Sequence, residues 1–213
     1  MKKIEDLINT YKDFPKKGVD FKDVLGILQD PEAFNQLIIR MSSSQIIKNS
    51  EAIISIDARG FIFGSAVSLK SSKPMIVARK PGKLPGEVVK RQYNLEYGVN
   101  SLSIQKSSLS KYSNYVIIDD LLATGGTVKC VADLLLKNGK EVNGLLTVIE
   151  LYKLKGRSKF NFPVESMIKL WIKKITFTWN KRFKENIFIN CLLKLFLLLK
   201  KWLISKNNFK LSQ

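Results

Sequence analysis

The 213-residue chain contains no histidine. Mechanisms that need an imidazole base are thereby excluded, the serine and cysteine triads among them, and so are most catalytic zinc sites. Cysteine is scarce as well. Cys130 and Cys191 form neither a metal-spaced pair nor a disulfide framework, and point to a reduced, cytoplasmic setting. There is no Walker-type phosphate loop. The longest apolar stretch, IFINCLLKLFLLL (187–199), is interrupted by Lys194 and falls short of the ~20 residues that span a bilayer. The N-terminal MKKIEDLINTYKDFP carries acids and no apolar run, so a secretory signal is not expected. Acids are few: 18 against 36 Lys and Arg, for a net charge of +18.

That charge is unevenly spread. Residues 171–213 hold ten Lys/Arg against one acid, Glu185, which is half of the net excess. They also hold all three tryptophans and no Gly, Pro, Ala, Val or Asp. The composition thus divides the chain into a domain at 1–170 and a basic, apolar extension at 171–213. The extension is rich in Lys, Asn, Ile, Phe and Leu, as the translation of A/T-rich DNA would be, and no evolved role is expected of it. The alternatives are a helix lying on an acidic membrane surface or packing on a partner.

The whole chain is 45% hydrophobic, and residues 1–170 are patterned as a globular domain. AIISID (52–57), PMIVARK (74–80), YVIIDD (115–120) and VNGLLTVIEL (142–151) read as buried strands, and SLSIQ (101–105) as a half-exposed one. Residues 4–12, 31–48, 59–70 and 126–140 read as helices, with Pro31 suited to a first turn and Asn138-Gly139 as a stop signal. Residues 81–98, with two Pro-Gly breaks, read as a long mobile loop. Strands alternating with helices imply an α/β fold with a mainly parallel sheet, and such sheets bind ligands at the carboxyl ends of their strands. Three loops leave strands there. One carries Arg59, one begins with Arg79 and Lys80, and the third is DDLLATGGT (119–127).

This third loop has the chemistry of a phosphate cradle. Ala123, Gly125 and Gly126 let the backbone approach a ligand closely, and the glycines can turn successive N–H groups into one concavity. Thr124 and Thr127 add hydroxyls, and the following helix adds its positive end. Asp119 and Asp120 would repel a phosphate directly but can accept hydrogen bonds from sugar hydroxyls. The bland alternative is an ordinary strand–turn–helix.

VIIDDLLATGGT (116–127) resembles the ribose-phosphate motif of the type I phosphoribosyltransferases. DARGFIFG (57–64), RKPGKLPGE (79–87), LEYG (95–98), FPKKGVDFKD (14–23) and LKGRSKF…PVESMIKL (154–170) resemble the adenine branch of that family. The resemblance covers roughly residues 4–170. Lys17 stands where proline is common, Ser55 where glycine is frequent, and Lys22 where arginine is frequent.

The resemblance implies a type I phosphoribosyltransferase fold with a flexible catalytic loop. It implies transfer of adenine onto 5-phosphoribosyl 1-pyrophosphate, with Mg²⁺ bound mainly through the pyrophosphate and no protein metal site. It implies Arg59, Arg79, Lys80 and Lys83 on the pyrophosphate side, and a homodimer in which the Arg79-Lys80 segment reaches the neighbouring site. Glu96 is the implied acid/base. Phe21 is the implied stacking aromatic, beside backbone groups of Asp20 and Lys22. Taken singly, the lysines could be a solvated face and Phe21 a core residue. Two other readings stay open: transfer to another purine, and a non-catalytic regulator that uses its charge to bind nucleic acid.

Overall fold

A computed structural model describes residues 3–14, 17–95 and 98–171, with the backbone alone at 93–95 and 98–100. Glu96, Tyr97 and the extension beyond Trp171, with every reading of it above, lie outside the described residues. The chain divides into Met1–Lys174 and Ile175–Gln213. The fold is that of the first unit.

Its elements in chain order are β1 (Asn9–Tyr11), β2 (Phe21–Asp23), α1 (Pro31–Ser42), α2 (Gln45–Lys48), β3 (Ala52–Ile56), α3 (Gly60–Ser71), β4 (Met75–Ala78), β5 (Val88–Leu95), β6 (Gly98–Gln105), α4 (Lys106–Leu109), β7 (Asn114–Leu122), α5 (Gly126–Lys137), β8 (Glu141–Leu151) and β9 (Val164–Leu170). Five strands form one parallel sheet in the order β4-β3-β7-β8-β9. Each central strand is apolar on both faces because both are covered. Ile54, Ile56, Tyr115, Ile117 and Leu145 pack with Val131 and Leu135 of α5. Their alternates Ile53, Val116, Ile118 and Leu146 pack with Leu37 and Met41 of α1 and Phe63 of α3. At about 2 kcal/mol for each large aliphatic side chain buried, these two cores dominate the favourable side of folding.

Local chemistry sets the helix ends. The Asp30 carboxylate accepts the Ala33 N–H at 3.0 Å, and Pro31 occupies the first turn of α1. The helical pattern at 31–48 divides in two because Ser42, Ser43 and Ser44 interrupt it. The Ser44 hydroxyl accepts the Ile46 N–H and starts α2.

Two expectations are corrected. Residues 4–12 form a 3-10 turn (Ile4–Leu7) followed by β1, which pairs antiparallel with β2, Tyr11 opposite Phe21. Asn9, Thr10 and Tyr11 favour an extended chain when a partner strand is present. Residues 81–98 are not one long loop either. Only the Pro-Gly part is irregular; from Val88 the chain is strand β5, paired with β6 from Val88–Gln105 to Leu95–Gly98. Burial alternates along Val88–Gln92, and Val89 packs on the α5 core. Mixed charge on the exposed positions hides that alternation in the sequence.

Ser55, the departure noted in β3, is fully buried, and its hydroxyl has no hydrogen-bond partner among the described residues. An unpaired buried hydroxyl costs roughly 1–3 kcal/mol. Ser55→Ala should therefore raise the melting temperature by about 2–4 °C, the equivalent of ~1 kcal/mol in a domain of this size. Calorimetry would show it, and an unchanged or lower value would mean that the hydroxyl is satisfied.

Candidate active site

The three loops do meet at the carboxyl edge of the sheet, and ion pairs join them. Arg59, after β3, places Nε 2.6 Å from Oδ2 of Asp120 on β7. Arg79, after β4, donates from Nε to Oδ2 of Asp57 at 3.0 Å. The Arg59 guanidinium also lies over the Phe21 ring, 4.9 Å from its centroid. Arg59 thus sits between the β7 carboxylates and the predicted stacking aromatic. Phe14 meets Phe21 edge-on at 5.2 Å. Asp20 is exposed, and the Lys22 ammonium is turned to the Thr10 hydroxyl at 2.8 Å across the β1–β2 pair.

Asp119 and Asp120 are buried. Burial, reinforced by the repulsion of the adjacent carboxylate, holds the Asp119 carboxyl well above the usual carboxylate range. Burial raises Asp120 too, and Arg59 offsets part of that rise. Asp119 Oδ1 accepts the Asp120 N–H at 3.0 Å. Asp120 Oδ2 touches the Arg59 cation, yet no aligned hydrogen bond satisfies it among the described residues. This edge therefore keeps carboxylate oxygens in a dry setting with acceptor capacity to spare, which is suited to a neutral hydroxyl donor.

Ala123, Thr124, Gly125, Gly126 and Thr127 follow immediately and lead into α5. Gly125 is the N-cap, with φ +77°, a conformation that favours glycine, and it has no side chain to bond the first N–H groups of the helix. Thr124, Gly126 and Thr127 are half-buried beside it. A twelve-residue helix with this N-terminus attracts an anion.

A second turn braces the loop from behind. A Cβ on Gly156 would lie 2.2 Å from the Ala123 carbonyl oxygen, and one on Gly125 would lie 2.9 Å from the Gly156 oxygen. The two backbones touch. Next to Gly156, Arg157 grips the buried Glu150 of β8 with two nitrogens and also donates to the Val164 carbonyl. Hydrogen bonding from Arg157 lowers the Glu150 pKa below the ordinary glutamate value. Ser166 donates to the same carboxylate at 2.9 Å. The brace is thus tied to both β8 and β9.

On the opposite side, Lys80 and Lys83 are exposed on a turn in which the Lys83 N–H donates to the Lys80 carbonyl at 3.3 Å. Arg79 Nη1 donates to the Lys83 carbonyl at 3.4 Å. No three His, Cys, Asp or Glu are placed to hold a metal ion among the described residues. No described helix is long and apolar enough to cross a membrane.

Sequence reasoning passed over Asp57, Gly156 and the Glu150–Arg157 pair. Asp57 carried a signal, since it ends an apolar run two residues before Arg59. Gly156 carried none beyond its place in LKGRSKF, because its role is set by a chain segment more than thirty positions away.

Comparison with known proteins shows the family to which this fold belongs. Residues 25–185 match the phosphoribosyl transferase domain family. The chain is 72% identical over 166 residues to the adenine phosphoribosyltransferase of Prochlorococcus marinus (strain MIT 9515), covering 78% of this chain and 97% of that protein. The crystal structure of adenine phosphoribosyltransferase from Thermoanaerobacter pseudethanolicus superimposes with a TM-score of 0.73 at 38% identity, over 78% of this chain and 98% of that one. The Saccharomyces cerevisiae enzyme, solved with an imino-altritol bisphosphate and adenine, gives 0.70 at 32% identity, over 77% and 96%. The chain belongs to the phosphoribosyl transferase family, in its adenine phosphoribosyltransferase branch.

Proposed function

We propose that this edge of the sheet joins adenine to C1 of 5-phosphoribosyl 1-pyrophosphate, forming AMP and releasing pyrophosphate in purine salvage. The observation that carries this reading is the buried Asp119–Asp120 pair running directly into the glycine-capped start of α5. Ribose hydroxyls suit the first and a 5-phosphate suits the second. A purine ring nitrogen bonds to C1 as the C1–pyrophosphate oxygen bond breaks, with positive charge developing on the sugar. The chain's task is alignment, charge placement and exclusion of water.

In this reading Ala123 to Thr127 hold the phosphate, and Asp119 and Asp120 accept from the ribose. Arg59, Arg79, Lys80 and Lys83 receive the pyrophosphate. Arg59 braces Asp120 and Phe21, linking the sugar side to the base side. Phe21 packs on adenine, whose edge is read by backbone groups of Asp20 and Lys22. The Lys22 side chain is held by Thr10 and leaves that backbone in place. Glu96 takes the proton that the purine nitrogen loses. The donor set suits a magnesium ion brought by the substrate rather than one caged by the protein. Mg²⁺ favours octahedral oxygen shells built from phosphates, waters and one or two carboxylates. Asp119 and Asp120 are the carboxylates that would complete such a shell, and the ion would neutralise the departing pyrophosphate. The reading includes a homodimer in which the Arg79-Lys80 segment reaches the neighbouring site, and a reduced, cytoplasmic setting.

The test supplies the full chain with Mg²⁺, 5-phosphoribosyl 1-pyrophosphate and adenine, hypoxanthine or guanine in parallel. AMP from adenine, with no product from the other bases, is the expected result. Product from hypoxanthine or guanine would move the reading to another purine, and no product from any base would remove it. Glu96→Gln should lower kcat by about 100-fold, the lower end of what a positioned acid/base contributes, with little change in KM.

A further inference from the structure

The hairpin β5–β6 is tied to α5 through a side chain of β5 and to the chain after β4 through the backbone of β6. Arg91 of β5 forms an ion pair with Asp133 of α5, Nη2 to Oδ2, at 2.8 Å. Both side chains are mostly buried, with 29% and 20% of their surface exposed. The Cys130 thiol, one turn earlier on α5, approaches the Arg91 carbonyl at 3.4 Å. Ser103 of β6 makes a two-way backbone bridge with Arg79: the Arg79 N–H donates to the Ser103 carbonyl at 2.9 Å, and the Ser103 N–H returns the bond at 2.7 Å. The Ser103 hydroxyl donates to the same Arg79 carbonyl at 3.0 Å. Arg91 pairs with Leu102 and Lys90 with Ser103, so the two attachments are neighbours in one ladder.

A continuous line of contacts therefore runs from the helix whose start is the phosphate cradle to the arginine on the pyrophosphate side. Asp133 meets Arg91, Arg91 is paired with β6 next to Ser103, and Ser103 holds the backbone of Arg79. We propose that Arg91 and Asp133 are positioning residues that set Arg79, across the β5–β6 hairpin, at a fixed distance from the phosphate-binding end of α5. The ligand concerned is the diphosphate group of the substrate, and the proposal rests on the reading of Arg79 given above.

Two details make the link separable from simple helix stability. Asp133 also accepts from Lys129 on its own helix, at 3.0 and 3.2 Å. Removing the Arg91 charge thus leaves Asp133 partnered and α5 intact. Asp133 is also two turns away from Gly126, outside the reach of the first-turn N–H groups.

The experiment titrates the full chain with magnesium pyrophosphate and, separately, with ribose 5-phosphate, by calorimetry. The variants are Arg91→Gln, Asp133→Asn, their double and Arg79→Gln. Each single change at 91 or 133 should weaken pyrophosphate binding by about 10-fold and leave ribose 5-phosphate within ~2-fold, a size typical of positional coupling. The double should be no weaker than either single, because both remove one link. The proposal is overturned if Arg79→Gln weakens pyrophosphate while the 91 and 133 variants bind it normally. It is overturned equally if both ligands weaken together, or if the losses in the double multiply. Should Arg79→Gln leave pyrophosphate binding unchanged, the reading of Arg79 fails first and takes the proposal with it.

Discussion

Asp119→Asn should make the free protein more stable and the enzyme about 1,000-fold poorer in kcat/KM. The two effects share one cause. Asp119 is buried beside a second carboxylate, and its pKa is well above the usual carboxylate range because desolvation disfavours the charge. Without substrate, carrying that charge costs free energy. Asparagine keeps the oxygen that accepts the Asp120 N–H but brings no charge. The melting temperature should rise by about 2–4 °C, corresponding to ~1 kcal/mol. With substrate, the amide NH2 stands where the second carboxylate oxygen would accept from ribose hydroxyls, and charged hydrogen bonds contribute about 1.5–3 kcal/mol each, so the loss of two of them accounts for the three decades. The pH dependence follows in sign. A carboxyl whose pKa is raised on folding keeps its proton in the native state after the unfolded chain has lost it. Stability therefore falls as pH rises from about 4 towards the raised native value. Asp119→Asn should remove that share of the slope and leave the smaller share due to Asp120. Thermal melts from pH 4 to 8 and steady-state kinetics check both halves. A variant that is both less stable and inactive would show that Asp119 is structural.

The parts legible in sequence were those governed by near neighbours. β3, β7 and β8 announce themselves as apolar runs because each is buried on both faces, and the change from Ile118 to Asp119-Asp120 marks where the sheet meets the site. The start of α5 is legible because glycine and threonine cluster there with nothing else to explain them. Pairings between distant segments were not legible. β1 is three residues long and exists because Tyr11 finds Phe21. β5 hides behind Lys90, Arg91 and Gln92, whose charge and polarity mask a half-buried alternation. Arg59 and Arg79 could be placed at strand ends, but not assigned to Asp120 and Asp57, since choosing a carboxylate requires knowing the strand order β4-β3-β7. Gly156 lies furthest beyond reach, since the atom that forbids a side chain there belongs to Ala123.

Gly156 accordingly gives the second large effect. Its φ is not positive, so alanine is acceptable to the backbone itself. The obstacle is space: a Cβ would sit 2.2 Å from the Ala123 oxygen and 3.1 Å from the Gly125 nitrogen. Both obstructing atoms are backbone, so no rotamer change relieves the contact, and one of the two turns must move. The Gly156 side is fixed to β8 and β9 by Arg157 and Glu150. Ala123 and Gly125 are the start of the phosphate cradle, and they should be what shifts. Gly156→Ala should weaken ribose 5-phosphate binding by about 100-fold, the usual cost of a displacement near 1 Å in a preorganised site. It should also lower the melting temperature by about 4–8 °C, or ~2 kcal/mol of overpacking. Gly139→Ala is the matched control. Gly139 has φ +68° with nothing within 4 Å of its would-be Cβ, so alanine there carries strain without collision. It should cost about 1 kcal/mol in stability and leave ribose 5-phosphate binding unchanged. Equal losses of binding in the two variants would mean that the cradle responds to global stability. A loss confined to Gly156→Ala would locate the phosphate end of the site at the contact between the two turns.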